Sequence, residues 1–450
     1  INSLRAYLSS AVFIELIGVL FIYLGKDVDK SMLQRREAIA TVALSWVMAG
    51  ILGAIPYMFD GAIPSFIDAF FESISGFTTT GSSILTNIEA LSHTSLYWRS
   101  LTQWLGGMGI IVLFIAIFPQ LGVGAKHLFK SEVPGPITEG LKPKIKETSS
   151  ALWKIYVGLT LLLTFLLNYA GMPIFDSVCH AFTTMATGGF SIKNTSVKAY
   201  DSATIDYIIS VFMLLAGINF SLYYAFLHGK KRIFFKDIEV KVYFLIVIIS
   251  SFWIAYNIMP MYNNNIVEAF RYAFFQVAAV ITTTGFATDD FNVYPALSQV
   301  IIVTIMFFGG CAGSTSGGIK ISRILIAFKA SFFEVYKTFR PQFIKTLKLG
   351  SASISLDIVK GVFSFIIVFF FILIIGTFYV STHGVDIVTS FTSVLTALSN
   401  VGPGLVQVGP VENFSFFSGD IKLFLSFCMI MGRLELYTFL VLFIPDFWKN

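Results

Sequence analysis

Long apolar stretches separated by short polar connections run through the whole chain. A helix needs roughly 20 apolar residues to cross the hydrocarbon core of a bilayer. Nine stretches approach or exceed this length, and each is predicted to span a membrane: residues 6–25, 38–59, 97–118, 151–170, 205–227, 242–260, 296–330, 356–380 and 420–444. The seventh is interrupted by glycines. The pattern therefore predicts an all-α polytopic membrane protein.

Four shorter apolar stretches lie between these spans, at residues 67–78, 175–186, 266–281 and 386–399. Their length suits re-entrant helices that do not cross the bilayer. An acidic residue opens each of them: Asp68, Asp176, Glu268 and Asp386. Carboxylates are favoured at helix starts, where they accept hydrogen bonds from unpaired N–H groups and face the positive end of the helix dipole. The negative ends then favour a cation where the four helices meet.

Lysine and arginine residues divide the connections into two classes. They are concentrated in residues 26–36, 126–146, 230–241 and 323–348, whereas the connections with short helices hold only Lys193, Lys198 and Arg271. By the positive-inside rule, the basic connections are cytoplasmic and the short helices lie on the outer side. We therefore expect an N-terminal helix and cytoplasmic loop at residues 1–37. Four pseudo-symmetric helix–pore-loop–helix repeats then follow around one central pore, at residues 38–125, 126–235, 236–350 and 351–450.

Composition excludes several other classes of protein. The 450 residues are 56% hydrophobic and 13% charged, whereas soluble domains carry about 25% charged residues. Three isolated cysteines indicate neither a disulfide framework nor a zinc site. No Ser/His/Asp set or paired carboxylates point to an enzyme, and no nucleic acid is expected as a partner.

The four short helices run into the same motif, which ends in a glycine. The segments are "FFESISGFTTTG" (70–81), "VCHAFTTMATGG" (178–189), "FFQVAAVITTTG" (274–285) and "FTSVLTALSNVG" (391–402). One copy alone is typical of a glycine-terminated helix cap. Four copies in phase predict rings of backbone oxygens that replace the hydration shell of a cation, because glycine permits the positive φ that turns carbonyls to one side.

The segments "WRSLTQWLGGMGIIVL", "GGCAGSTSGGIK", "NVGPGL" and "MGRLELYTFL" resemble the Trk/Ktr/HKT superfamily of potassium transporters, and most closely its bacterial TrkH branch. The resemblance covers essentially the whole chain. It implies potassium uptake across the bacterial cytoplasmic membrane by a lipid-embedded homodimer, with K⁺ as the ligand and no organic cofactor. This branch usually has two helices before the first repeat, so the single one here leads us to expect a truncated N-terminus.

The resemblance also implies a regulatory partner. Members of the branch couple to a cytosolic ring of RCK-type, TrkA-like subunits that bind nucleotide. Since this chain has no such domain, the partner is expected to be a separate protein that docks on basic connections such as residues 142–146 and 337–348.

The predicted selectivity filter combines the motif alignment with this resemblance. Its residues are Thr79, Thr80, Gly81, Thr187, Gly188, Gly189, Thr283, Thr284, Gly285, Asn400, Val401 and Gly402. Backbone carbonyls are expected to bind K⁺ at Thr79, Thr80, Thr187, Gly188, Thr283, Thr284, Asn400 and Val401. By analogy with plant relatives, in which serine in the first filter accompanies sodium, Gly81 favours potassium.

The segment "FFGGCAGSTSGGIK" interrupts the seventh span. Each interior glycine costs a helix about 1 kcal/mol, so a continuous helix is not expected. A phosphate-binding loop is excluded because Ile319 separates Gly318 from Lys320 and no strand precedes the segment. It is either a helix-packing patch of small residues or, as in the family, a loop that obstructs the pore. The predicted gate comprises Gly309, Gly310, Gly313, Ser314, Thr315, Gly317, Gly318, Lys320 and Arg433.

The charged residues of this region have two interpretations. Arg433 lies mid-span, where arginine costs about 2.5–3.5 kcal/mol; it either forms an ion pair with Glu435 or Glu72, or it is an electrostatic barrier below the filter. Lys320 either adds to that barrier or extends to the cytoplasm. Glu72 is predicted to brace the filter, and His180 is predicted to be structural.

The sequence favours passive, potential-driven K⁺ flow. One alternative is Na⁺- or H⁺-coupled symport of the Ktr or HKT type. A remote alternative is a membrane enzyme or receptor that reuses the scaffold, although the polar catalytic cluster this requires is missing from the sequence.

Overall fold

The computed structural model describes residues 2–26, 35–109, 145–340, 347–350 and 352–449. Within these ranges, five helices are long and apolar enough to cross a membrane, and two bent helix pairs bring the number of candidate spans to as many as seven. The prediction of an all-α polytopic membrane protein is thereby confirmed. The end of the predicted third span and most of the second basic connection lie outside the described residues.

The described helices follow the order expected for four repeats. An N-terminal helix, α1, spans Asn2–Leu24. The first repeat contains α2 (Arg35–Asp60), α3 (Phe66–Phe77) and α4 (His93–Trp104). The second contains α5 (Ile145–Tyr169), α6 (Ile174–Met185), α7 (Ala203–Ala216) and α8 (Phe220–Leu227), with α9 (Lys231–Lys236) after it.

The third and fourth repeats contain the same elements and four short strands. The third has α10 (Ile238–Ile258), α11 (Ile266–Ile281), α12 (Ala296–Met306), β1 (Phe308–Gly309), β2 (Ile319–Lys320) and α13 (Ile321–Phe339). A hairpin of β3 (Lys348–Leu349) and β4 (Ala352–Ser353) follows it. The fourth has α14 (Leu356–Ser381), α15 (Ile387–Ser399), α16 (Gly419–Arg433) and α17 (Tyr437–Leu440).

The short helices α3, α6, α11 and α15 are buried, and we call them the pore helices. Asp68, Asp176 and Glu268 each lie in the first turn of their helix, as expected. Asp386 is the N-cap of α15, where its carboxylate accepts a hydrogen bond from the Thr389 amide at 2.9 Å. The bond from Thr389 satisfies an amide that has no partner within the helix.

The inner helices of the second, third and fourth repeats are interrupted, and that of the first changes to a π-helix, whereas the sequence predicts an interruption only in the third. The first continues as a π-helix over Leu105–Gly109, and α12 is followed by the glycine-rich loop between β1 and β2. The axes of α7 and α8 differ by 92°, and those of α16 and the segment Tyr437–Phe443 differ by 118°. The predicted spans 205–227 and 420–444 are therefore bent helix pairs, and these bends were not predicted. Asn219 caps α8, and Glu435 and Leu436 have positive φ, which no α-helix accommodates.

Candidate functional site

Each pore helix ends in a residue with left-handed backbone, two positions before its motif glycine. The φ angles are 56° for Thr79, 54° for Thr187, 57° for Thr283 and 53° for Asn400. The next amide bonds to the carbonyl five residues back, as Thr80 does to Ser75 at 2.9 Å. This is the Schellman end of a helix, where glycine is usual. A β-branched residue with positive φ is a conformational outlier, and such strain is concentrated at functional sites.

The motif glycines also have left-handed backbone, with φ of 86° for Gly81, 76° for Gly189, 79° for Gly285 and 100° for Gly402. The residue between the two left-handed positions has ordinary negative φ in all four repeats. The sequence of a single copy is typical of a helix cap formed by glycine, but the left-handed residue that ends each pore helix is threonine or asparagine. The glycine has a separate role two residues later.

The four motif segments form a closed ring of backbone contacts. A methyl group placed on the Cα atom of Gly81 would lie 2.2 Å from the carbonyl oxygen of Gly188 in the second repeat. The same distance is 1.8 Å from Gly189 to the oxygen of Thr284, 2.1 Å from Gly285 to that of Val401, and 2.8 Å from Gly402 to that of Thr80. The last contact returns to the first repeat. Glycine is thus required by neighbouring backbone as well as by its own φ.

Polar side chains fix the orientation of these segments. The hydroxyls of Thr78 and Thr80 are 2.8 Å apart, and those of Thr282 and Thr284 are 2.7 Å apart. The side-chain amide of Asn400 donates to Thr80 Oγ1 at 2.9 Å, joining the fourth repeat to the first.

Gln103 was not singled out from the sequence, yet it holds the second motif segment from the neighbouring repeat. Its Nε2 donates to the Gly188 carbonyl at 2.7 Å and its Oε1 accepts from the Phe190 amide at 3.0 Å. A carbonyl oxygen has two lone pairs, so this bond leaves acceptor capacity on Gly188. The long polar side chain of Gln103, next to an apolar and glycine-rich run in "SLTQWLGG", is the sequence signal for this contact.

A polar residue in each pore helix braces the segment after the motif glycine. Glu72, His180 and Gln276 each lie nine residues before their glycine. Glu72 accepts from the Ile84 amide at 3.0 Å, His180 contacts Ser191 Oγ at 3.1 Å, and Gln276 donates to the Asp289 carbonyl at 3.1 Å. In the fourth helix Thr392 accepts from the Leu405 amide at 3.1 Å. The alignment on the glycines contained this signal, but only Glu72 and His180 were interpreted as structural.

Arg99 completes the brace of the first repeat. Its Nε lies 2.9 Å from Glu72 Oε1, and the two side chains are 1% and 0% exposed. The guanidinium also donates to the Ser191 carbonyl at 2.9 Å and stacks on the Phe190 ring at 4.1 Å. The geometry agrees with a bracing role for Glu72 and shows that its charge is paired with Arg99. Arg99 was not identified from the sequence.

The glycine-rich loop lies against the inner ends of the pore helices. Thr315 Oγ1 donates to the carbonyls of Met185 and Ala216, both at 3.2 Å. The Gly317 amide donates to Thr283 Oγ1 at 2.7 Å, so the loop is bonded directly to a predicted filter residue. The ends of the loop are closed by β1 and β2, which pair in parallel.

Arg433 joins this loop to the first repeat. Its guanidinium donates to the carbonyl of Thr315 at 2.8 Å and to those of Gly106 and Gly107 at 2.6 and 2.7 Å. The two carboxylates considered as its partners are engaged elsewhere: Glu72 with Arg99 and Glu435 with Arg323. Carbonyl oxygens of the glycine-rich loop and of the π-helix therefore accept hydrogen bonds from this partly buried charge.

Lys320 is 3% exposed, so of its two interpretations the alternative that it extends to the cytoplasm is wrong. Its ammonium group donates to the carbonyl of Ser316 and, at 3.3 Å, to that of Gly317. The loop carbonyls hold the side chain inside the protein because a buried ammonium needs oxygen partners. Lys320 and Arg433 thus place two cationic side chains against the carbonyls of one short loop.

Comparisons with known proteins agree with this architecture. The profile of the TrkH family, described as "Cation transport protein", matches residues 8–450. The Trk system potassium uptake protein TrkH of Salmonella typhimurium is 39% identical over 94% of this chain and 88% of its own length. That of Escherichia coli is 38% identical over the same shares. The crystal structure of the potassium transporter TrkH from Vibrio parahaemolyticus superposes with a TM-score of 0.83 at 31% identity, covering 99% of this chain and 98% of that one.

These matches cover the four repeats, the ring of motif glycines and the glycine-rich loop together. They identify a multi-pass protein of the bacterial inner membrane and a transport family rather than an enzyme family. The chain belongs to the TrkH family of cation transport proteins.

Proposed function

We propose that this chain mediates potassium uptake through a pore between its four repeats, with the motif segments as the selectivity filter. The observation that carries the proposal is the closed ring of contacts between each motif glycine and a carbonyl of the next repeat. This ring brings four backbone segments of the same conformation around one axis. The printed names of the relatives, which are potassium uptake proteins, support K⁺ as the ion.

Backbone carbonyls are the proposed K⁺ ligands. They belong to Thr79, Thr80, Thr187, Gly188, Thr283, Thr284, Asn400 and Val401. Carbonyl rings replace the hydration shell of the ion, and the negative ends of the four pore helices add favourable potential. The alternation of left-handed and ordinary backbone supports carbonyls that turn to one side.

The glycine-rich loop is the proposed gate. It comprises Gly309, Gly310, Gly313, Ser314, Thr315, Gly317 and Gly318, together with Lys320 and Arg433. Its hydrogen bonds to Thr283 and to the inner ends of two helices support a position directly below the filter. The two cationic groups oppose a cation that leaves the filter, because charge interactions are strong where water is scarce.

Potassium is proposed to move passively down its electrochemical potential. A membrane potential supplies about 2.3 kcal/mol per charge for each 100 mV. The relatives are named as parts of a Trk system, which supports a separate cytosolic regulatory subunit of the nucleotide-binding RCK type. A homodimer in contact with membrane lipid completes the proposed assembly.

The test of transport is ion flux through the purified chain in liposomes. A K⁺ gradient alone should set the reversal potential, with a much smaller response to Na⁺. A reversal potential that shifts with an imposed Na⁺ or H⁺ gradient would show coupled symport. The absence of K⁺ flux under every gradient, with the partner present or absent, would overturn the proposal.

The test of the gate is removal of residues 313–317 in the same assay. Flux without the partner should rise, since the deletion removes the loop segment bonded to Thr283. The control is Gly361→Ala in α14, where an added methyl group meets no atom within 4 Å. Unchanged flux in the deletion variant would contradict the gate.

A further inference from the structure

The glycine-rich loop is also held from the cytoplasmic side by one carboxylate. Glu239 lies in the first turn of α10 and is 9% exposed. Its Oε1 accepts hydrogen bonds from the amides of Ala312 at 2.9 Å and Ser322 at 2.8 Å. Ala312 lies near the beginning of the loop, and Ser322 lies just after its end. One oxygen therefore ties together the two ends of the loop.

We infer that Glu239 is a positioning residue that holds the loop in the position below the filter. Hydrogen bonds in which the acceptor is ionised are roughly twice as strong as neutral ones. Glycine loses more conformational freedom on ordering than any other residue, so a glycine-rich loop is costly to hold in one conformation. Hydrogen bonds that fix its two ends offset part of this cost. The inference rests on the proposed gate for its effect on flux, but not for its effect on the loop itself.

The same side of the loop is bonded to the preceding helix pair. The Phe220 amide at the start of α8 donates to the Gly313 carbonyl at 3.0 Å, and the Cys311 amide donates to the Gly217 carbonyl at 2.8 Å. Between α8 and Glu239 the chain passes through α9 and its exposed basic residues Lys230, Lys231, Arg232 and Lys236. The loop is thus hydrogen-bonded to the helices on both sides of one basic cytoplasmic segment. On the side of α10, the bonding group is the carboxylate of Glu239.

The loop carries its own reporter for this inference. Cys311 is buried in the loop, and Cys179 and Cys428 are buried elsewhere. A water-soluble maleimide added to purified chain in lipid nanodiscs should therefore react faster with Cys311 when the loop is released. Mass spectrometry of each cysteine separates local release from general unfolding, since unfolding exposes all three.

The decisive pair of variants is Glu239→Ala and Glu239→Gln. Alanine should raise both the Cys311 labelling rate and the partner-independent flux by at least about tenfold, because it removes two bonds to a charged acceptor. Glutamine keeps an oxygen acceptor without the charge, so its labelling rate should fall between those of the alanine variant and the original chain. If alanine unfolds the protein, the glutamine variant decides. Its Cys311 must then react faster while Cys179 and Cys428 do not change.

Asp237→Ala is the matched control. Asp237 caps the same helix by accepting a hydrogen bond from the Val240 amide at 3.0 Å, a bond that does not involve the loop. Equal labelling of Cys311 in this variant would overturn the inference, because loosening of the helix start would then explain the effect. Unchanged Cys311 labelling in Glu239→Ala would also overturn it. Faster labelling with unchanged flux would support the role of Glu239 and contradict the proposed gate.

Discussion

The left-handed threonines are the most strained residues of the motif segments. Thr79, Thr187 and Thr283 adopt φ near 55°, where Cβ approaches the following carbonyl oxygen. Such conformations persist only when the surroundings over-determine them, and here two helix-end hydrogen bonds do so. The sequence predicted that these residues belong to the filter, but glycine alone was expected to be left-handed. Nothing in the local sequence distinguishes a strained threonine from an ordinary one.

The hydroxyl of Thr283 is expected to couple the filter to the glycine-rich loop. Thr283→Val keeps the β-branched shape but removes the acceptor for the Gly317 amide. A net loss of about 0.5–1.5 kcal/mol per hydrogen bond predicts a threefold to tenfold rise in flux without the partner. The measurement is Rb⁺ uptake into liposomes.

Thr187→Val is the control for that prediction. Thr187 has the same backbone conformation, but its hydroxyl donates to the carbonyl of Ala186 and not to the loop. If both variants raise the flux equally, the effect belongs to the filter and the coupling through Gly317 is refuted.

The charged residues show how far single positions can be interpreted from sequence. Glu72 was correctly predicted as a brace because carboxylates inside membranes need partners. Its partner Arg99 lies 27 positions away along the chain, and no local pattern predicts that distance. The two interpretations of Lys320 could not be separated for a similar reason, since the carbonyls of Ser316 and Gly317 that hold it come together only once the loop folds back.

At the scale of elements, the pore helices were predictable and the broken inner helices were only partly so. Acidic starts, apolar length and a terminal glycine defined the pore helices. Five glycines predicted the loop of the third repeat. The bend after α16, in contrast, falls at Leu434, Glu435 and Leu436, where the sequence has no glycine or proline. That bend is imposed by packing and not by local propensity, as tertiary context overrides propensity elsewhere.

The brace between α3 and α4 should dominate the stability of the first repeat. Glu72→Ala leaves the charge of Arg99 buried without its carboxylate, which costs about 3–5 kcal/mol. Glu72→Gln keeps one oxygen acceptor, for the N–H of either Arg99 or Ile84, and should cost less. The measurement is the midpoint of thermal unfolding in detergent.

The control for the brace is the exposed pair of Glu334 and Lys337 on α13. Exposed ion pairs contribute about 0–1 kcal/mol, so Glu334→Ala should leave the midpoint nearly unchanged. A Glu72→Ala variant as stable as Glu334→Ala would show that the buried pair is not the brace.

At the scale of the whole molecule, the fourfold repeat is visible in the sequence, but the closed ring that the four motif segments form is not. Alignment of four glycines predicted four equivalent segments on one side of the membrane. It did not predict that each glycine meets the carbonyl one position before the next glycine, nor that Asn400 bonds to Thr80 across the join between the last and first repeats. Closure depends on contacts between residues hundreds of positions apart, which a single sequence does not reveal.

The ring predicts a graded response to Gly→Ala substitution in the four repeats. The added methyl group meets the neighbouring carbonyl at 1.8 Å in Gly189, 2.1 Å in Gly285, 2.2 Å in Gly81 and 2.8 Å in Gly402. The loss of K⁺ flux and of K⁺ over Na⁺ selectivity should follow this order, with Gly189→Ala the most severe. Gly158→Ala on α5, where the methyl group meets nothing within 4 Å, is the control.

The effect of K⁺ on thermal stability gives a second measurement of the four Gly→Ala variants, and this measurement does not depend on the gate. An ion that binds only the folded state raises its stability by about 2.7 kcal/mol at a concentration 100 times its Kd. Replacing K⁺ by Na⁺ should therefore lower the unfolding midpoint of the original chain, and this difference should shrink most in Gly189→Ala and least in Gly402→Ala. A K⁺-dependent midpoint that is equal in all four variants would refute the ring as the binding site. A graded loss of K⁺ stabilisation with unaltered flux would instead separate ion binding at the ring from conduction, because binding is read from the folded state alone.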